Sequence, residues 1–267
     1  MQRGTFRRTI GDAMAETTFT KDVLRNSEAT LTDAERQVLE AAVSQTRVLT
    51  AGHVAVRQGE TVSISLLLVR GLMTRHVDGI DGRRHLVAVH VPGDFVDLHA
   101  YALKRLDHDV GALTDVTVAV FTHAELERIQ EQHQHLTRRL WFLTLLDAAK
   151  HRQWIFRLAS LNALQRVAHF LCEMNARLLA IGASDGSTFS LPMTQGDIGE
   201  VCGLTNVHVS RVLRQLRELG LCSVRASVVE IHDLKGLAAA GVFQPDYLYL
   251  NRQTAARAVG EPGNPHE

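Results

Sequence analysis

The 267 residues are 45% hydrophobic and 22% charged, with 29 Lys and Arg balancing 29 Asp and Glu, enough chain for one large domain or two ordinary ones. The longest apolar run, residues 64–69, includes Ser65 and ends at Arg70, well short of the roughly 18 residues a membrane span needs. No apolar segment follows Arg3, Arg7 and Arg8, and Cys172, Cys202 and Cys222 make neither a disulfide framework nor a CxxC metal pair, so a cytoplasmic chain without membrane, secretory or zinc-ribbon features is expected.

Residues 1–20 lack apolar periodicity and read as a frayed start. Thr32 and Glu35 form a capping box ahead of a helix whose apolar face is Val38, Leu39, Ala42 and Val43. Between residues 47 and 121 short β-rich runs (54–57, 62–69, 72–77, 85–91 and 116–121) alternate with glycines, and Asp78-Gly-Ile-Asp-Gly82 is a hairpin turn signal. That texture predicts a β-sandwich or barrel, of which the jelly roll is one form. Thr122 then caps a helical period that continues to Ile181, where Leu136, Leu140, Leu143, Asp147, Lys150 and Trp154 follow a heptad. Such a stripe predicts pairing with a second copy, although Asp147 and Lys150 lie inside it. Residues 136–180 also carry a net excess of five positive charges from Arg138, Arg139, Lys150, Arg152, Arg157, Arg166 and Arg177 against Asp147 and Glu173. That excess reads as a basic approach to nucleic acid.

Thr194 to Gly220 is the most informative stretch. Thr194 caps a short helix, 195–202; Gly203 supplies a turn residue tolerant of positive φ; Thr205 caps a longer helix with Val209, Val212, Leu213 and Leu216 inward, ending at Gly220. Short helix, glycine turn and longer helix make a helix-turn-helix, and two strands at 221–225 and 228–231 add a wing. The outward residues Asn206, Val207, His208, Ser210, Arg211, Arg214 and Arg217 suit a major groove, where arginine reads guanine and asparagine reads adenine. The tail after Gly241 offers Phe243, Tyr247, Leu248 and Leu250 for docking on the body.

The sequence resembles the Crp/Fnr superfamily of bacterial transcription regulators over residues 25–235, on Arg57-Gln-Gly-Glu60, Leu68-Val-Arg-Gly-Leu72, Pro92-Gly-Asp-Phe95 and Gly203-Leu-Thr-Asn-Val-His-Val-Ser-Arg211. The resemblance implies an α+β chain: a flexible N-terminus (1–24), a cyclic-nucleotide-binding-like jelly roll (25–132), a dimerisation helix (133–160), a winged helix-turn-helix (161–240) and a tail (241–267). By position it places Asn206, Val207 and Arg211 on bases, and Thr194, Gln195, Thr205, His208 and Ser210 on phosphates. Val207 departs from the glutamate that the best-known members carry, which implies a different half-site. Partners implied are double-stranded DNA, a second copy, RNA polymerase and an unidentified small-molecule effector.

In the sensor, the places that hold Glu and Arg-Ser in the cyclic-AMP-binding members are occupied by Leu98, His108 and Asp109. An aspartate repels a phosphodiester, and Arg105 rescues the charge only through a shifted alignment. Leu98, His99, Arg105, His108 and Asp109 therefore mark an effector pocket without cyclic AMP. No cysteine precedes Cys172, which argues against the iron–sulfur cluster of the oxygen-sensing members. Fourteen histidines, among them His85, His90, His99, His108, His133 and His135, show no metal-ligand spacing, while an exposed cluster of them would sense pH. A cupin-type metalloenzyme needs an HxH within residues 47–121, and that region has none, so no catalytic residue is assigned. A regulator with a purely structural jelly roll stays open as the alternative.

Overall fold

The computed structural model describes residues 18–80 and 82–261. For residues 1–17 the expected fraying lies outside the described residues. Residues 18–24 correct that expectation, because the amides of Phe19 and Thr20 donate to the Glu40 carboxylate at 2.8 and 2.9 Å and Val23 and Leu24 are buried. Glu40 sits in α1 (Asp33–Ala41), which opens with the expected Thr32–Glu35 capping box.

The β domain consists of β1 (Gln45–Leu49), β2 (Val54–Val56), β3 (Ile64–Arg70), β4 (Met73–Asp78), β5 (Arg84–His90), β6 (Asp109–Ala112) and β7 (Val116–Thr122). Two antiparallel sheets, ordered β1-β7-β3 and β2-β6-β4-β5, enclose Leu66, Leu68, Met73, Val110, Val118 and Val120. A short helix, α2 (Ala100–Leu103), follows β5, and α3 (His123–Gln132) starts where Thr122 accepts a hydrogen bond from the Glu125 amide.

Two breaks interrupt the long helical stretch. His133 leaves helical geometry before α4 (Gln134–Ser160), and Asn162 forms a capping box with Gln165 that starts α5 (Ala163–Ala180). The heptad expected to pair with a second copy packs instead on its own chain. Leu136 and Leu140 enter a core with Phe95, Phe121 and Leu126; Asp147 meets Arg75, Lys150 meets Asp94, and Trp154 donates to Glu173. Beside it runs a second heptad stripe, Trp141, Leu145, Ala148, Arg152 and Ile155, in which Trp141, Leu145 and Ile155 are exposed.

Helix α5 is the centre of the molecule: residues 167–180 are all buried. Leu72, Leu86, Val89 and Val91 of the β domain share its core, and the rest of the chain folds around it. That remainder comprises β8 (Thr188–Ser190), α6 (Gln195–Cys202), α7 (Asn206–Glu218), β9 (Cys222–Arg225), β10 (Val228–Ile231), α8 (Leu234–Ala240), a 3-10 turn (Pro245–Leu248) and α9 (Arg252–Ala258). The tail does dock, with Phe243, Leu248 and Leu250 buried.

Candidate nucleic-acid interface and sensor cavity

Capping chemistry shapes the helix-turn-helix. The Thr194 hydroxyl accepts from the Asp197 amide at 3.1 Å and donates to its carboxylate at 2.6 Å, which starts α6. Gly203 takes φ 63° and ψ 42°, a left-handed conformation that suits glycine. The Thr205 hydroxyl accepts from the His208 amide at 3.3 Å and starts α7, whose Val209, Val212 and Leu216 are buried. Gly199, which sequence reasoning passed over, permits the tight turn: a Cβ there would lie 2.6 Å from the Leu204 carbonyl oxygen. Its signal was a glycine in mid-helix, where glycine is otherwise unfavourable.

The base-reading candidates Asn206, Val207 and Arg211 are exposed at the start of α7, beside exposed Thr205 and His208 and half-buried Ser210. Thr194 and Gln195 are exposed at the start of α6, and the Asn206 carboxamide oxygen lies 3.5 Å from where a Gly196 Cβ would be. Amides of the two first turns and the macrodipoles of α6 and α7 favour anions there. Asp197 opposes that field, but Arg84 of β5 lies 2.8 Å from it and 3.1 Å from Glu200. The expected basic approach is corrected in part: Arg157 and Arg177 are buried, Lys150 pairs with Asp94, and Arg166 donates to the Leu161 and Cys202 carbonyls, whereas Arg138 and Arg152 are exposed and Arg139 is half-buried. Arg157, Arg177, Lys150 and Arg166 hold the interior together instead of facing DNA.

The profile described as the cyclic nucleotide-binding domain matches residues 46–133, and that of the Crp-like helix-turn-helix domain matches residues 165–240. The nitrogen fixation regulation protein FixK of Bradyrhizobium diazoefficiens is 34% identical over 164 residues, 60% of this chain and 68% of that protein. The chain belongs to the Crp/Fnr superfamily. It is a DNA-binding transcription regulator, as its relatives are. The anaerobic regulatory protein of Haemophilus influenzae is 26% identical over 208 residues, 78% of this chain and 80% of that one. FixK2 from Bradyrhizobium japonicum superposes with a TM-score of 0.67 at 27% identity, covering 73% of this chain and 96% of FixK2.

In this Crp/Fnr regulator a cavity of about 360 Å³ opens between the β4–β5 face and α4, lined by Arg75, Val77, Val87, His99, Asp107, His108, Asp147 and His151. The buried Arg75 guanidinium forms its floor, donating to Asp147 at 2.5 Å and to the Val96 carbonyl at 2.7 Å. Of the expected pocket residues, the structure brings His99 and His108 to this cavity. Leu98 lines a neighbouring apolar pocket of about 220 Å³ with Tyr101, Leu126 and Leu140. Arg105 is exposed, and Asp109 accepts from the Gln58 amide and pairs with His76, so neither faces the cavity. Arg75 was missed, and Asp147 was read as part of the helix stripe and not of a cavity; an arginine on a largely buried strand beside Met73 and Thr74 was the available signal.

Three of the histidines weighed as an exposed, pH-sensing cluster, His90, His99 and His108, are withdrawn from solvent, while His85 and His135 are exposed. Burial, and then the charge of Arg75, pushes His90 down to about 3 and His99 down to about 4, and lowers His108 from the same causes. These imidazoles stay neutral at pH 7. Burial likewise pushes the Cys202 thiol up to about 11 and the Cys222 thiol up to about 12, so neither is poised for thiolate chemistry. Among the described residues no helix is long and apolar enough to cross a membrane, and no group of three or more His, Cys, Asp or Glu side chains is placed to hold a metal ion.

Proposed function

We propose that this regulator works in the cytoplasm as a homodimer, reading an inverted-repeat operator with two copies of α7. The observation that carries the dimer is the outer stripe of α4, which leaves Trp141 65%, Leu145 53% and Ile155 67% exposed at heptad spacing on a 27-residue helix. A two-fold axis along that stripe would set the α7 helices in successive major grooves on one face of the duplex, with half-sites about 34 Å apart. Asn206, Val207 and Arg211 then reach base edges: Arg211 reads guanine and Val207 packs on an apolar thymine methyl. Thr194, Gln195, Thr205, His208 and Ser210 hold phosphates, the threonines chiefly by ordering the helix starts whose free amides make the contact.

The jelly roll senses an effector other than cyclic AMP, in the cavity floored by Arg75 and walled by His99 and His108. Two observations support the exclusion: Asp109 is engaged elsewhere and Arg105 points to solvent. RNA polymerase is the partner that a regulator bound beside a promoter would engage. Selection of bound duplexes from a random pool by the purified protein tests the central reading. An enriched inverted repeat is expected; an enriched single half-site would refute the dimeric mode.

A further inference from the structure

After the wing the chain turns back and ties the molecule together. The Tyr247 hydroxyl donates to Glu173 of α5 at 2.9 Å, and the Tyr249 ring meets the Phe142 ring of α4 edge-on at 5.6 Å. Leu250 pairs with Ser27 in an isolated antiparallel bridge. On either side of it the Glu28 amide donates to the Tyr249 carbonyl at 2.9 Å and the Asn251 amide to the Asn26 carbonyl at 2.8 Å. The Asn26 carboxamide and the Arg25 guanidinium in turn donate to the Ala180 and Ile181 carbonyls at the end of α5, at 2.7 and 2.8 Å. The segment that makes these contacts lies beyond residue 240, where the match to the helix-turn-helix family ends. The sensor also grips the module through Arg84 of β5, which pairs with Asp197 and Glu200 of α6.

We propose that residues 242–251 are a strap that fastens the DNA-binding module to the sensor's N-terminal segment and to α4, so that each protomer meets DNA as one body. This reading rests on the dimeric, operator-reading function above. A module free to swing would hold both α7 helices in register only part of the time, and its apparent affinity would fall by that fraction. The strap removes the loss in advance.

Two full-chain variants test it in opposite directions. Ser27→Cys with Leu250→Cys joins the bridge pair by a disulfide, and the three native thiols are buried and out of competition. Asn26→Ala with Tyr249→Ala unfastens it by removing the hydrogen bond to Ala180 and the ring contact with Phe142. Operator affinity of the oxidised cysteine pair should stay within about twofold of its reduced form, and the unfastened variant should bind about tenfold more weakly. Amide exchange at Glu28 and Asn251 should rise in the unfastened protein while the α5 amides stay protected, which separates a loosened strap from an unfolded chain. A loss of binding on oxidation that reduction reverses would mean that the strap must open, and would overturn the proposal. Unchanged affinity of the unfastened variant despite faster exchange would overturn it too. A wild-type protein that enriches only a single half-site would count against the dimeric reading, with the exchange result still reporting on the strap.

Discussion

Changing Ile155 to Asp places a carboxylate in the middle of the outer α4 stripe, on a residue that touches little of its own chain. Full burial of an isoleucine side chain is worth about 1.5 to 3 kcal/mol. With 67% of Ile155 open in the protomer, covering it on association returns about 1 to 2 kcal/mol per copy, and two-fold symmetry doubles this to about 2 to 4 kcal/mol. Ile155→Asp should therefore raise the dimer dissociation constant about 30- to 900-fold, before adding the repulsion of two carboxylates facing each other. Sedimentation velocity over a dilution series reads the shift, and the melting temperature of the monomer should change little because the site is exposed. A protein that stays dimeric at wild-type dilution would refute the assignment of the seam to this stripe.

Arg211→Ala should cost about 1 to 3 kcal/mol at one operator position and relax selectivity there, read by competition against single-base variants; equal weakening on all sequences would move Arg211 to the phosphates. Gly199→Ala should destabilise the DNA-binding module by about 1 to 3 kcal/mol, because its Cβ meets a backbone oxygen that cannot step aside; an unchanged melting curve would contradict the tight-turn role. Asp97 is buried, accepts from the Leu66 amide at 2.6 Å and leaves its other oxygen unpartnered. Burial pushes its pKa up to about 7. A carboxyl group with a raised folded-state pKa stabilises fully below its unfolded value, near 4, and loses that contribution as pH rises through about 7. Asp97→Asn should flatten the fall in melting temperature between pH 5 and 8; a fall as steep as in the wild type would exclude Asp97 as its source.

The helix-turn-helix was legible because its determinants are local: Thr194, Gly203 and Thr205 cap or turn within a few residues, and the helices start and stop where those residues direct. The role of α4 was half legible. Two heptad stripes lie side by side on it, and spacing cannot tell which meets the chain's own sheet and which is left open. Asp147 and Lys150 were the clue, since a charged pair inside an apolar stripe needs partners, and Arg75 and Asp94 lie far away in sequence. Strand β1 escaped because four of its five residues are exposed and show no alternation. Of the expected pocket residues only His99 and His108 line the cavity, because ungapped counting cannot see that Arg75 projects into it from another strand. Nor did the tail declare its bridge to Ser27, a pairing across more than two hundred residues.

A helix buried on every side, as α5 is over residues 167–180, has no face of its own to present to water. Here a cut between α4 and α5 would strip Val167, Phe170, Leu171, Met174 and their neighbours of the β-domain and α4 surfaces that cover them, leaving an apolar patch of the kind that drives aggregation. The two halves of this protein are thus obligate companions, and a mutation that unsettles the sensor core should reach the DNA-binding half as a loss of solubility before it shows as a change in operator choice.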